Sequence, residues 1–166
     1  MSLSQLNAMT AQEASHTLMQ CCTSSTWVAR MVDNRPFADA DELKRRADEN
    51  WLDLEEADYL EAFEGHPKIG DVSSLRKKYA NTKALAAGEQ SGVYDAEGAT
   101  IQALAGGNTA YENKFGFIFI VCATGKSAAE MLALLQARLP NDRDTELKNA
   151  AEEQRKIFHI RLEKLL

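Results

Sequence analysis

Apolar residues recur every three or four positions along most of this chain, the period of a helix with one face turned to a core. Ala11, Ala14, Leu18, Cys21 and Cys22 follow Thr10-x-x-Glu13, and Leu43, Ala47 and Trp51 follow Asp39-x-x-Glu42. Ala128, Met131, Leu132, Leu135 and Leu139 follow Ser127-x-x-Glu130. In each case an oxygen-bearing side chain stands three residues before an acid and can satisfy the free amides of a helix start. Trp27, Val28, Met31 and Val32 predict a short helix stopped before Pro36. Further helices are expected over 55–63, from near Ala96 to Phe115, and from near Thr145 to the C-terminus, with Pro140 and Asn141 ending the one that begins at Ser127.

Two stretches break the helical period. Phe117-Ile118-Phe119-Ile120-Val121-Cys122 is a continuous apolar run suited to a buried extended segment. A lone strand has no sheet to join, so the run is expected to cross between helices. Between Gly65 and Gly92 the chain is punctuated by Gly65-His66-Pro67, Gly70-Asp71 and Gly88-Glu89-Gln90-Ser91-Gly92, with room for a short helix near Ser74 to Tyr79. Loops carry chemistry more often than packed elements do. The expected fold is all-α, a single-domain bundle over residues 1–166 of about seven to nine helices, with one buried extended segment near Phe117-Cys122.

Composition narrows the function. A chain that is 45% hydrophobic and 27% charged, with 3 prolines, is that of a globular protein and not a disordered one. A net charge of -6 argues against a nucleic-acid partner, which needs a concentrated basic surface. No apolar run is long enough for a membrane span, and the N-terminus lacks the features of a secretory leader. Cys21, Cys22 and Cys122 are an odd count that suits neither a disulfide framework nor a metal half-site. The C-terminal Lys164-Leu165-Leu166 is not the peroxisomal tripeptide, so the expected location is cytoplasmic. No histidine or cysteine pair has metal-ligand spacing, and Ile120 stands where a phosphate-binding loop ending Gly125-Lys126-Ser127 would need glycine.

Several residues could carry chemistry. In Gly65-His66-Pro67 the proline biases the histidine toward extended backbone, giving a rigid imidazole suited to proton transfer, or a merely exposed turn residue. His16 and His159 fall on polar helix faces and are expected to be solvated. Glu89, Gln90 and Ser91 present three hydrogen-bonding side chains between glycines, either around a ligand or as a polar loop. Arg161 lies on the apolar stripe of the last helix, formed by Leu147, Ala150, Ala151, Ile157, Phe158, Leu162 and Leu165. An arginine there must snorkel outward, pair with a structural carboxylate, or meet a bound anion. Asn108 stands inside the stripe of Ile101, Leu104, Tyr111 and Phe115, where a buried amide could tie down a neighbouring loop or touch a ligand.

Taken together, Pro36-Phe37, Phe63-Glu64-Gly65-His66-Pro67-Lys68-Ile69-Gly70-Asp71, Glu89-Gln90-Ser91-Gly92, the stretch from Asn108-Thr109-Ala110-Tyr111 to Phe115-Gly116-Phe117, and Arg161-Leu162 resemble one family. It is the 2-oxo-4-hydroxy-4-carboxy-5-ureidoimidazoline (OHCU) decarboxylases of urate breakdown, and the resemblance runs from near Leu3 to the C-terminus. It implies an all-helical homodimeric enzyme that forms (S)-allantoin from a small-molecule substrate, with no metal and no organic cofactor. By position, His66 matches the catalytic histidine and Glu89 the acid that works with it. Pro67, Gln90 and Arg161 match substrate contacts, the backbone of Phe117, Ile118, Phe119 and Ile120 matches a stretch lining the pocket, and Ser91 stands where some relatives carry alanine. The alternatives are a non-enzymatic helical binding module and a metal-dependent hydrolase of purine-breakdown amides.

Overall fold

A computed structural model describes residues 1–66 and 92–166, with side chains from 98 onward in the second stretch. Among the described residues there are eight helices and no strand: α1 (Leu3–Ala8), α2 (Ala11–Met19), α3 (Ser25–Asp33), α4 (Ala40–Leu52), α5 (Glu56–Glu64), α6 (Gly92–Phe115), α7 (Ala128–Arg138) and α8 (Arg143–Leu165). The all-α class expected from the periodicity holds. Pro67, Glu89, Gln90 and Ser91, Gly70-Asp71 and the short helix expected near Ser74 to Tyr79 lie outside the described residues.

The three announced N-termini are where the sequence puts them. Thr10 accepts from the Glu13 amide, Asp39 from the Glu42 amide and Ser127 from the Glu130 amide. The α1 helix has no long apolar stripe, but its start carries the same signal: Ser2 and Gln5 form a reciprocal capping box. The α6 helix begins at Gly92, earlier than the stripe from Ala96 suggests.

The helices fall into two compact units, Met1–His66 with Asn149–Leu166, and Pro67–Lys148. In the first, α3 packs on α2, α4 and α5. Its core centres on Phe158 of α8, whose ring lies 5.1 Å from Trp27 and 5.6 Å, edge-on, from Trp51. Both indoles bury their rings yet satisfy their N–H groups, Trp27 on the Ala47 carbonyl and Trp51 on the Ala151 carbonyl, each at 3.0 Å. The α4 stripe of Leu43, Ala47 and Trp51 is buried as expected. In the α2 stripe Ala14 and Leu18 are buried, whereas Ala11 is exposed and Cys21 and Cys22 lie beyond the helix end. His16 is exposed. His159 is not solvated as its helix face suggests: its Nε2 lies 2.6 Å from Asp48 Oδ1 on α4, because a helix face of mixed charge can pack against a complementary one.

In the second unit α6 packs on α7, closely enough that a Cβ at Gly107 would lie 2.5 Å from Leu135 Cδ2. The 117–122 run is irregular backbone, a buried crossing and not a strand, with Phe117, Phe119, Ile120 and Cys122 buried. The Asn108 amide donates to the Leu104 carbonyl one turn earlier in its own helix, at 2.8 Å, and among the described residues no loop contact is seen. An amide at mid-helix has that carbonyl always within reach.

Candidate active site

The end of α5 presents His66. Its last turn is closed by Gly65 and His66, whose amides donate to Ala62 and Phe63 carbonyls. The connection between α2 and α3 lies against this turn, where the Thr23 hydroxyl sits 3.1 Å from the Glu61 carbonyl and 3.2 Å from the Ala62 carbonyl. Two residues after Thr23, the amide and the hydroxyl of Ser25 at the start of α3 both donate to the Glu61 carboxylate. The turn leading into His66 is therefore tied to one segment, residues 23–25, through the Glu61 and Ala62 carbonyls and the Glu61 carboxylate.

The same connection holds Arg161. From α8 the guanidinium donates through Nη1 to the Cys21 carbonyl at 3.3 Å. Among the described residues no carboxylate stands within ion-pair distance of Arg161, so the structural-carboxylate alternative lacks a partner there. Its charge is felt by its neighbours: it lowers the pKa of Cys21, Cys22 and His66. Burial outweighs it at the two thiols, which are pushed up to about 11 at Cys21 and about 12 at Cys22. Both remain protonated at neutral pH and are poor nucleophiles.

His66 itself is half-buried, and its Nε2 is hydrogen-bonded to Oε1 of Gln154 on α8. Desolvation lowers its pKa below the usual 6.5; the Gln154 acceptor opposes this and Arg161 adds to it. The ring is thus neutral at physiological pH, able to take a proton and return it. A half-buried neutral imidazole beside a guanidinium without a carboxylate partner among the described residues is suited to an anionic substrate that undergoes proton transfer.

Gln154 is the site residue that the sequence reading missed. The signal was there: Glu146, Ala150, Gln154, Phe158 and Leu162 recur every fourth residue on α8, and all five are buried. Two polar side chains on that line needed a reason.

Glu146 has its reason in the second unit. Its carboxylate accepts from Tyr111 Oη at 2.6 Å, Arg138 Nε at 2.7 Å and Asn141 Nδ2 at 2.8 Å. Arg138 in turn donates through Nη1 to the Ile120 carbonyl at 2.7 Å and lies 4.7 Å over the Phe119 ring. A buried ion pair thereby sets the course of the 117–120 backbone. Burial and the Glu146 carboxylate push the Tyr111 phenol well above its usual pKa, so it acts here as a donor.

Comparisons with known proteins agree with the residue pattern. Residues 7–163 match the family described as OHCU decarboxylase. The chain is 37% identical over 148 residues to "Uric acid degradation bifunctional protein TTL" of Arabidopsis thaliana, covering 87% of this chain and 45% of that protein. It is 29% identical to the 2-oxo-4-hydroxy-4-carboxy-5-ureidoimidazoline decarboxylase of Amia calva, covering 100% of this chain and 95% of that one. The chain spans less than half the length of the bifunctional relatives it matches. A crystal structure of OHCU decarboxylase in the presence of (S)-allantoin superposes with a TM-score of 0.68 at 36% identity, covering 89% of this chain and 94% of that one.

Proposed function

Because this chain belongs to the OHCU decarboxylase family, we propose that it converts 2-oxo-4-hydroxy-4-carboxy-5-ureidoimidazoline to (S)-allantoin as a single catalytic domain. The observation that carries the reading is the neutral, hydrogen-bonded imidazole of His66 under the influence of the Arg161 charge. The substrate is anionic, and its decarboxylation needs little beyond placement and proton transfer. When the bond to the carboxylate breaks, carbon dioxide leaves and the electron pair stays on the ring carbon, delocalised into the adjacent C=N bond. The substrate thus supplies the electron sink that other decarboxylases draw from a cofactor, and no cofactor is required.

The protein's tasks are to orient the carboxylate, manage the hydroxyl proton and deliver a proton to one face of the enediol-like carbon. We assign the first proton transfer to His66 and either its orientation or the carbon protonation to Glu89. Arg161 and Gln90 bind substrate oxygens and amides, with Pro67, Ser91 and the backbone of Phe117, Ile118, Phe119 and Ile120 as further contacts; the family motifs support these roles. On this proposal the protein works as a cytoplasmic homodimer. Three buried free cysteines accord with a reducing compartment.

Circular dichroism of freshly generated substrate tests the activity. Faster decay with the optical signal of one allantoin enantiomer supports it. Racemic product forming at the spontaneous rate would leave a binding module instead.

A further inference from the structure

Gln154 is completely buried on the line of α8 that also carries Ala150, Phe158 and Leu162. An aliphatic side chain would suit that line at no polar cost. Among the described residues the amide oxygen has one partner, His66, and the amide nitrogen has none. A buried donor left unpaired is unfavourable, and among the described residues the bond to the imidazole is the polar contact that offsets it.

We propose that Gln154 is a positioning residue for the decarboxylation, accepting the Nε2–H of His66 so that Nδ1 is the ring nitrogen presented for proton transfer. This rests on the reading of His66 as the proton-transfer group. An imidazole with one nitrogen tied to an acceptor has a fixed tautomer and a fixed ring plane, and both matter when the other nitrogen must exchange a proton along one direction. An amide suits this better than a carboxylate would. It is uncharged, so it orients the ring without holding the proton on it, and the burial of the site together with Arg161 keeps the ring neutral. Among the described residues Arg161 is the charged group that acts on the ring, and the nearby Cys21 and Cys22 are neutral thiols.

The experiment combines long-range 1H–15N spectra of the 15N-labelled full chain with steady-state kinetics, the His66 ring being assigned by its loss in His66→Asn. The wild type should carry its proton on Nε2. Gln154→Met, which keeps the volume and removes the acceptor, should abolish that preference and lower the ring pKa. It should also move the acid limb of kcat/KM to lower pH and reduce kcat about tenfold or more, with KM changed less than about twofold. Gln154→Glu keeps an acceptor and adds charge, so it should retain the tautomer and move the limb to higher pH. A wild-type proton on Nδ1 would overturn the proposal, as would a Gln154→Met chain that melts earlier while keeping its tautomer and pH profile. Absence of wild-type turnover would refute the decarboxylase reading alone, since the spectra still decide whether Gln154 sets the tautomer.

Discussion

Thr23 Oγ1 lies 2.1 Å from the position a Cβ on Gly65 would occupy, with Thr23 Cγ2 at 2.5 Å and Cβ at 2.8 Å. No side chain of any size fits at residue 65 without displacing the connection between α2 and α3, and that connection bears on both halves of the site. Thr23 pins the α5 turn before His66, and the Cys21 carbonyl receives Arg161. Glycine is present here for space; its backbone is in the ordinary helical region.

Gly65→Ala should therefore cost about 1–3 kcal/mol of stability, the range for overpacking a tight site. It should lower turnover more than the residual stability explains, because the strain is released beside His66. Thr23→Ala in the same chain removes the two nearest atoms, and partial recovery of melting temperature would identify the clash. Full activity in Gly65→Ala would show that the turn can move without consequence.

Much of this arrangement was legible in the sequence, and the limits are physical. The capped helices α2, α4 and α7 could be read because a side-chain cap and an apolar stripe are local signals. Arg161 stood out because a cation on an apolar stripe is a local contradiction. What could not be read were partners. Nothing near His159 in the chain points to Asp48, and nothing near Gly65 points to Thr23, since both contacts join segments far apart in sequence. Gln154 and Glu146 are intermediate, exposed as buried by their register on α8 but paired with residues only the fold brings to them.

The Glu146 cluster gives a second expectation. Arg138 and Glu146 pair at 2.7 Å with side chains 12% and 0% exposed, so removing the carboxylate leaves a buried cation. Glu146→Ala should destabilise the chain by about 3–5 kcal/mol in chemical denaturation, and Glu146→Gln by less, because the amide keeps the shape and one acceptor. Unfolding free energies within about 0.5 kcal/mol of wild type would mean that the pair is dispensable.

The lowered pKa of His66 fixes a pH dependence for both activity and stability. Burial disfavours the charged ring, so the folded state takes up its proton at a lower pH than the unfolded chain does. As pH falls below the ordinary 6.5, the unfolded state binds the proton first and stability declines until the folded ring also titrates. This loss is absent above 6.5 and should disappear in His66→Asn. If His66 acts as the base, the acid limb of kcat/KM should lie below 6.5 in the wild type. A limb above that value would contradict a desolvated imidazole. His16→Ala, in contrast, removes an exposed side chain and should leave rate and profile unchanged.

Arg161 separates binding from architecture most directly. Its guanidinium is half-buried, donates to the Cys21 carbonyl and has no carboxylate partner among the described residues. A side chain serving only to neutralise a buried acid would cost about 3–5 kcal/mol when lost. With one carbonyl contact at stake, Arg161→Ala should cost no more than about 1–2 kcal/mol in stability. Arg161→Lys should cost less still. The catalytic effect should be large even for lysine, which keeps the charge but loses the planar pair of donors that can grip a carboxylate or a ureido oxygen. Turnover should thus fall substantially in Arg161→Lys and further in Arg161→Ala, with KM rising in both if the contact forms in the ground state. Melting curves and steady-state constants on the same preparations decide the matter. An Arg161→Lys chain that melts early yet keeps wild-type constants would make this residue a strut between α8 and the α2–α3 connection and remove it from the substrate-binding set.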